Sequence, residues 1–178
     1  MSKYLTFDAL NSTIKTYAAK YELNETRRYT ASASSTITVF LSHRHTEDKS
    51  LIEKVKGFFA DQGASVYIDW LDKDMPEVTS SETATKLKNK IDKSQKFVIL
   101  ATPLSIESKW IPWEIGLADQ MKGLTNIATL PIVTDENNWE QREYYRLYSR
   151  ITKVNDDWLV VKPEDISFGT KLSVWLRS

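Results

Sequence analysis

Hydrophobic positions between residues 6 and 26 recur at helical steps. Phe7, Leu10, Ile14, Tyr17, Ala18 and Tyr21 fall on one stripe and Asp8 can cap the start, which predicts an amphipathic helix. TASASST (30–36) is small and polar and reads as a linker. The period then changes. ITVFL (37–41) is a β-rich run bounded by polar residues and predicts a first strand. EDKSLIEKVKGFFADQG (47–63) predicts a helix with Leu51, Ile52, Val55, Phe58 and Phe59 inward, Thr46 as its cap and Gly63 as its stop. SVYIDW (65–70) predicts a second strand and LDKDMPEVTS (71–80) a loop. TSSE (79–82) reads as a capping box opening a helix over 81–92, with Ala84, Leu87 and Ile91 inward. KFVILA (96–101) predicts a third strand, and its unbroken apolar run implies burial on both faces. TPLSIESKWI (102–111) is a loop leading into a helix over 112–122. NIATLPIVT (126–134) predicts a fourth strand, with Pro131 suggesting that it lies nearer the sheet edge or is already leaving the sheet there. A tyrosine-rich helix over 139–151, a fifth strand at DWLVVK (157–162) and a last helix over 164–176 complete the pattern, and no repeat is present.

Strands alternating with helices imply a parallel sheet covered on both faces. The expected fold is α/β, a flavodoxin-like three-layer sandwich whose five-stranded parallel sheet has the order 2-1-3-4-5. Residues 1–36 are expected to form a helical extension and linker, and 37–178 one domain. In this topology ligands bind beyond the carboxyl ends of the first and third strands, where the winding reverses. That edge carries SHRH (42–45) and TPLSIESKW (102–110).

Composition narrows the class. At 178 residues the chain is long enough for one domain with a substantial core. Basic and acidic residues balance at 24 each, so bulk charge argues for neither a nucleic-acid nor an acidic-membrane partner. The absence of cysteine excludes disulfides and thiolate metal sites and fits a reducing compartment. The start, MSKYLTFDAL, lacks a basic-then-apolar signal peptide. The longest apolar run, FVILA, is far short of the ~20 residues of a membrane helix. The expectation is a cytoplasmic, soluble protein.

The stretch SKWIPWEIGLADQMKG (108–123) breaks its own pattern. Leu117, Ala118 and Met121 mark a helical stripe, and one turn back that stripe lands on Glu114. Two readings stand. With Pro112 at the first helical position, Glu114 is the third, a favoured place for a water-facing glutamate. Alternatively it lines the crevice between Trp110 and Trp113, as a carboxylate that is buried because it has a task. A carboxylate beside an aromatic wall suits a cationic, planar, ribose-linked substrate: the ring attracts the cation, and the carboxylate binds ribose hydroxyls and stabilises positive charge as a glycosidic bond opens.

Other candidates are weaker. His43 and His45 form an HxH pair without a third histidine, so no metal is expected. Ser42 beside His43 is not a nucleophile pair, because neighbours on an extended chain point apart. Asp69, Asp72 and Asp74 lack calcium-loop spacing and read as a solvated loop. Ser105 and Ser108 read as turn or cap residues, and Tyr144, Tyr145 and Tyr148 as a packing face. No phosphate-binding glycine motif is present.

TVFLSHRHTED (38–48), GASVYIDWLDKDMP (63–76) and SSETATKLKNKIDKSQKFVILATPLSIESKWIPWEIGLADQ (80–120) together resemble the TIR domain, over roughly 37–165 of the chain. The third stretch is the most specific. The resemblance implies cleavage of NAD+ with release of nicotinamide, Glu114 as the catalytic glutamate, and Trp110 as the aromatic of the WxxxE pattern. It implies that Ser42, His43 and Arg44 border the NAD+ site, Arg44 through the diphosphate. It also implies that Asp69, Trp70 and Leu71 stand at the entrance to the BB loop, which doubles as an assembly surface. The product it implies is ADP-ribose with water as acceptor, a cyclic ADP-ribose with an atom of the same molecule, or the adduct of another small nucleophile. Stand-alone members of this kind resemble bacterial signal producers of phage-defence systems such as Thoeris, whose product activates a separate effector. The expected partners are therefore NAD+, a second TIR domain and that effector, with no metal, nucleic acid or membrane. The alternative readings are a non-catalytic TIR scaffold and a ribosyl-transfer enzyme acting on nucleosides.

Overall fold

The computed structural model describes residues 2–11, 37–69, 80–135, 139, 143–163 and 165–178. The linker 30–36, Trp70, Leu71 and most of the expected first helix lie outside the described residues. In chain order the elements are β1 (Ser2–Lys3), β2 (Leu5–Thr6), the described part of α1 (7–11), β3 (Ile37–Ser42), α2 (Lys49–Asp61), β4 (Ala64–Tyr67), α3 (Ser81–Lys93), β5 (Lys96–Ala101), α4 (Trp110–Lys122), β6 (Ile127–Val133), β7 (Ser149–Val154), β8 (Asp157–Lys162), β9 (Asp165–Lys171) and α5 (Leu172–Trp175).

One mixed sheet runs β4-β3-β5-β6-β7-β8-β9. The first four strands in that path are parallel and in the order expected from the sequence. The five-stranded, all-parallel sheet is not what forms beyond them. β7 adds parallel to β6, and β8 and β9 then add antiparallel. The expected helix over 139–151 gives way to a short 3-10 helix, Glu143–Leu147, followed by β7. The reason is the hairpin that follows. Asn155 takes φ 55°, and with Asp156 it closes a two-residue turn that pairs Val154 with Asp157. Such turns need positive φ, which Asn tolerates, and they fix strand register on both sides. The expected last helix is reduced to α5 because β9 occupies its first half. There Gly169 lets the backbone lie against Leu159 and Val161 of β8.

Pro131 sits inside the sheet rather than at its edge. On one side β6 pairs with β5 from Ile127 to Pro131. On the other, Ala128 and Thr129 pair with β7, whereas Ile132 and Val133 pair with β2. Pro131 falls in the gap between those two partners, where its missing N–H breaks no ladder. The same splay admits the N-terminal residues. β1 pairs with β7, β2 with β6, and Leu5 and Leu10 are buried in the core.

Strand alternation divides the core between the two faces. Val39, Leu41, Val98 and Leu100 pack with α2, Leu5, Leu10 and α5. Phe40, Phe97, Ile99 and Ala101 pack with α3, α4, Tyr145 and Tyr148. Phe40 stacks on Phe97 across the β3–β5 pair, ring centroids 5.3 Å apart. The helix caps are shifted from the expected ones. Asp48, not Thr46, caps α2 through Ser50 N–H. Ser80 and Thr83, rather than Thr79 and Glu82, form the reciprocal box on α3.

Candidate active site

β3 leads to β4 on one side of it and pairs with β5 on the other, so the winding reverses between β3 and β5. The carboxyl ends of these two strands carry Ser42 and, just beyond β5, Thr102. α4 starts over the same edge. Its first residue is Trp110, two residues earlier than the sequence pattern indicates, so Pro112 is third and Glu114 fifth. Pro112 fits because the first helical N–H groups have no helical acceptor. Lys109 makes no side-chain cap; Ser108 Oγ instead accepts from Ile111 N–H at 3.3 Å.

The buried stripe of α4 is Ile111, Glu114, Ile115 and Ala118, while Met121 is exposed. Glu114 is 3% exposed. The water-facing helix-start reading is therefore overturned by both its position and its burial. Ser42 Oγ donates to Glu114 Oε2 at 2.5 Å. Burial pushes the Glu114 carboxyl up to about 7; the Ser42 hydrogen bond opposes the rise and the negative charge of Asp69 adds to it. A carboxyl with this value exchanges between acid and carboxylate at neutral pH, as acid–base and charge-stabilising groups require.

Asp69 is also buried, 8% exposed, which corrects its reading as part of a solvated loop. Its Oδ1 lies 3.7 Å from His43 Nε2 and its Oδ2 3.2 Å from His45 Nε2. His43 Nδ1 donates to the Leu41 carbonyl at 3.1 Å. Burial pulls the His43 ring below its ordinary value, against the pull of Asp69. Arg44 turns towards the β5 loop, where it donates to Leu104 O at 3.1 Å and to Glu107 Oε2 at 2.8 Å. Trp110 and Trp113 meet edge to face, centroids 5.2 Å apart, and both are half-buried. Trp110 and Glu114 are four residues apart and share a helix face. The structure thus brings Ser42 into contact with Glu114 and places Trp110 one turn away. It sets His43 against Asp69, whose charge also bears on Glu114, and engages Arg44 with the neighbouring loop. Trp70 lies outside the described residues.

The sequence reading passed over a second buried connection. Thr102 Oγ donates to Glu47 Oε2 at 2.8 Å, Ser105 N–H donates to Thr102 Oγ at 3.0 Å, and Ser105 Oγ lies 3.3 Å from Tyr145 Oη. It fastens the β3 and β5 loops to each other under the crevice. The available signal was an acidic residue in TED, just ahead of the helix cap. Burial raises the Glu47 carboxyl, and its bond to Thr102 holds the rise back. Among the described residues no group of three His, Asp or Glu side chains is arranged to hold a metal ion, and no helix is long and apolar enough to cross a membrane.

In open α/β sheets ligands bind in the crevice at the switch point, and here that edge carries a buried carboxylate. The family model for the TIR domain matches residues 39–158, and the chain belongs to that family. A protein of Bacillus cereus (strain MSX-D12), "Probable 3' cyclic ADP-D-ribose synthase ThsB'", is 29% identical over 119 residues, 65% of this chain and 60% of that protein. A protein of Cytobacillus dafuensis, "Putative cyclic ADP-D-ribose synthase TIR2", is 30% identical over 117 residues, 57% of this chain and 31% of that protein. The chain spans less than two thirds of the length of either relative.

Proposed function

We propose that this chain cleaves the nicotinamide–ribose bond of NAD+ and closes the remaining ADP-ribose into a cyclic signal, in bacterial anti-phage defence. The observation that carries the reading is the buried, Ser42-bonded Glu114 at the β3/β5 switch point. The names of the two relatives support the same chemistry.

Nicotinamide leaves as a neutral base with the bonding electron pair, and positive charge develops on the ribose. Glu114 in its carboxylate form stabilises that charge and accepts hydrogen bonds from the ribose hydroxyls. Ser42 orients the carboxylate. Trp110, with Trp113 behind it, offers an aromatic face to the pyridinium. The loop bearing His43 and Arg44 borders the dinucleotide, and a role for Trp70 in binding it rests on the family resemblance alone. Self-association through the BB loop completes an active assembly in the cytoplasm, and the product reaches a separate effector.

The test is NAD+ consumption by the concentrated full chain, wild type beside Glu114→Ala, with products separated by chromatography and identified by mass. Nicotinamide release by wild type, lowered at least about 100-fold in the variant, is the expected result for loss of the main charge-stabilising group. Equal consumption by both would remove Glu114 from the reaction. Consumption by neither, at high concentration, would favour the scaffold reading.

A further inference from the structure

His43 carries an acceptor that the fold leaves unused. Its Nδ1 faces a carbonyl oxygen, which can only accept, so Nδ1 bears the proton. In the neutral ring Nε2 is then a lone pair. That atom is buried and makes no hydrogen bond among the described residues. A histidine kept only for packing has both nitrogens satisfied, because a buried polar atom without a partner costs about 1–3 kcal/mol. The nearest charged group is Asp69, at 3.7 Å, too long for a hydrogen bond and well placed to stabilise an imidazolium. The other carboxylate oxygen of Asp69 meets His45, whose side chain is 55% exposed. A buried lone pair, a bridging carboxylate and a solvent-facing imidazole therefore stand in series. His43 directly follows Ser42, whose hydroxyl bonds Glu114, and the charge of Asp69 bears on both His43 and Glu114. The neighbouring charged groups point elsewhere: Arg44 to Glu107, and Glu47 to Thr102.

We propose that His43 Nε2 is the general base that takes the proton from the ribose hydroxyl closing the cyclic product, and that Asp69 stabilises the imidazolium so formed. The inference rests on the proposed NAD+ reaction. The step balances. The C–N bond to nicotinamide breaks and nicotinamide keeps its electron pair. The hydroxyl oxygen bonds to the anomeric carbon, its proton moves to His43 Nε2, and the overall change is NAD+ to nicotinamide, cyclic ADP-ribose and one released proton. Asp69 is a positioning residue here: it stabilises the imidazolium while it lasts. A base aimed at one hydroxyl selects cyclisation over capture by water.

The test is the amount of cyclic product formed per nicotinamide released, measured on the full chain with NAD+ for wild type, His43→Gln and Asp69→Asn. A general base contributes about 10²–10⁴-fold to its step, and water competes for the same carbon, so the ratio falls at least about tenfold in His43→Gln. It falls in Asp69→Asn as well, where the ring remains but its counter-charge is gone. A merely structural role would lower both products together and leave the ratio unchanged, and that result would overturn the proposal. Circular dichroism is recorded on each variant; if His43→Gln does not fold, Asp69→Asn decides by the same ratio. A wild type that releases nicotinamide and makes only linear ADP-ribose overturns this inference and leaves NAD+ cleavage standing. A wild type that consumes no NAD+ overturns the reaction itself.

Discussion

Replacing Glu114 by Gln is expected to stabilise the protein above neutral pH while abolishing its proposed chemistry. The carboxyl is 3% exposed and its folded-state value is about 7, against 4.5 in the unfolded chain. A raised carboxyl favours its neutral form in the folded state. Its stabilising contribution is complete below the unfolded value and is lost as pH rises through the folded one. The gap is about 2.5 pH units, and at about 1.4 kcal/mol per unit the ionised side chain costs about 3 kcal/mol at pH 8. Gln keeps the shape and an oxygen for Ser42 but cannot ionise. Urea unfolding followed by tryptophan fluorescence at pH 5, 6.5 and 8 measures the effect. Subtracting the variant from wild type cancels groups common to both, such as Glu47 and His43. The variant should match wild type to within about 1 kcal/mol at pH 5 and exceed it by about 3 kcal/mol at pH 8, equivalent to a rise in Tm of about 6–12 °C for a chain of this size. A difference that stays constant with pH would refute the reasoning, because it would mean that Glu114 titrates alike in the folded and unfolded chains.

Thr102→Val removes the hydroxyl that donates to Glu47 and accepts from Ser105 N–H, at nearly constant volume. Each buried group left without its bond costs about 1–3 kcal/mol, so the urea midpoint at pH 7 should fall clearly, and a loss under about 0.5 kcal/mol would deny the connection any weight. Gly169→Ala places a Cβ 2.9 Å from both Leu159 Cβ and Val161 Cγ1. Overpacking of this kind costs about 1–3 kcal/mol, and hydrogen exchange should show faster opening of the β8–β9 amides while the β3–β5 pair stays protected.

The parallel half of the sheet was legible because burial on both faces writes continuous apolar runs, as in KFVILA, and because helices such as α2 and α3 carry clean stripes. The other half was not. Tyr144, Tyr145 and Tyr148 have helical spacing, but Tyr145 and Tyr148 are anchored by packing on α4 and β5 rather than by a helix of their own. The deciding signal was two residues long: Asn155 and Asp156 close a hairpin, and a turn outweighs a stripe when the flanking residues alternate. Pro131 misled for a related reason. A proline marks a break in a ladder, and here the break is internal, where β6 changes partners between β7 and β2.

Glu114 was legible because it violates the pattern of its helix, and the violation survives in three dimensions as a carboxyl on a buried stripe. Its partners were legible in part. Ser42 and His43 end a strand at the switch point, so topology places them there. Asp69 carries no such mark: on the chain it is one acidic residue among several, and only folding singles it out by burying it. Its position raises the cost of ionising Glu114 and lowers the cost of protonating His43. One carboxylate thus biases two neighbours in the same direction, towards protonation, holding a proton on the glutamate and inviting one onto the histidine. A site arranged in that way is destabilised at rest, and positive charge on a bound ligand relieves the strain at Glu114. The stability that Glu114→Gln would restore above neutral pH measures the cost of the buried charge, which the proposed cationic substrate would offset on binding.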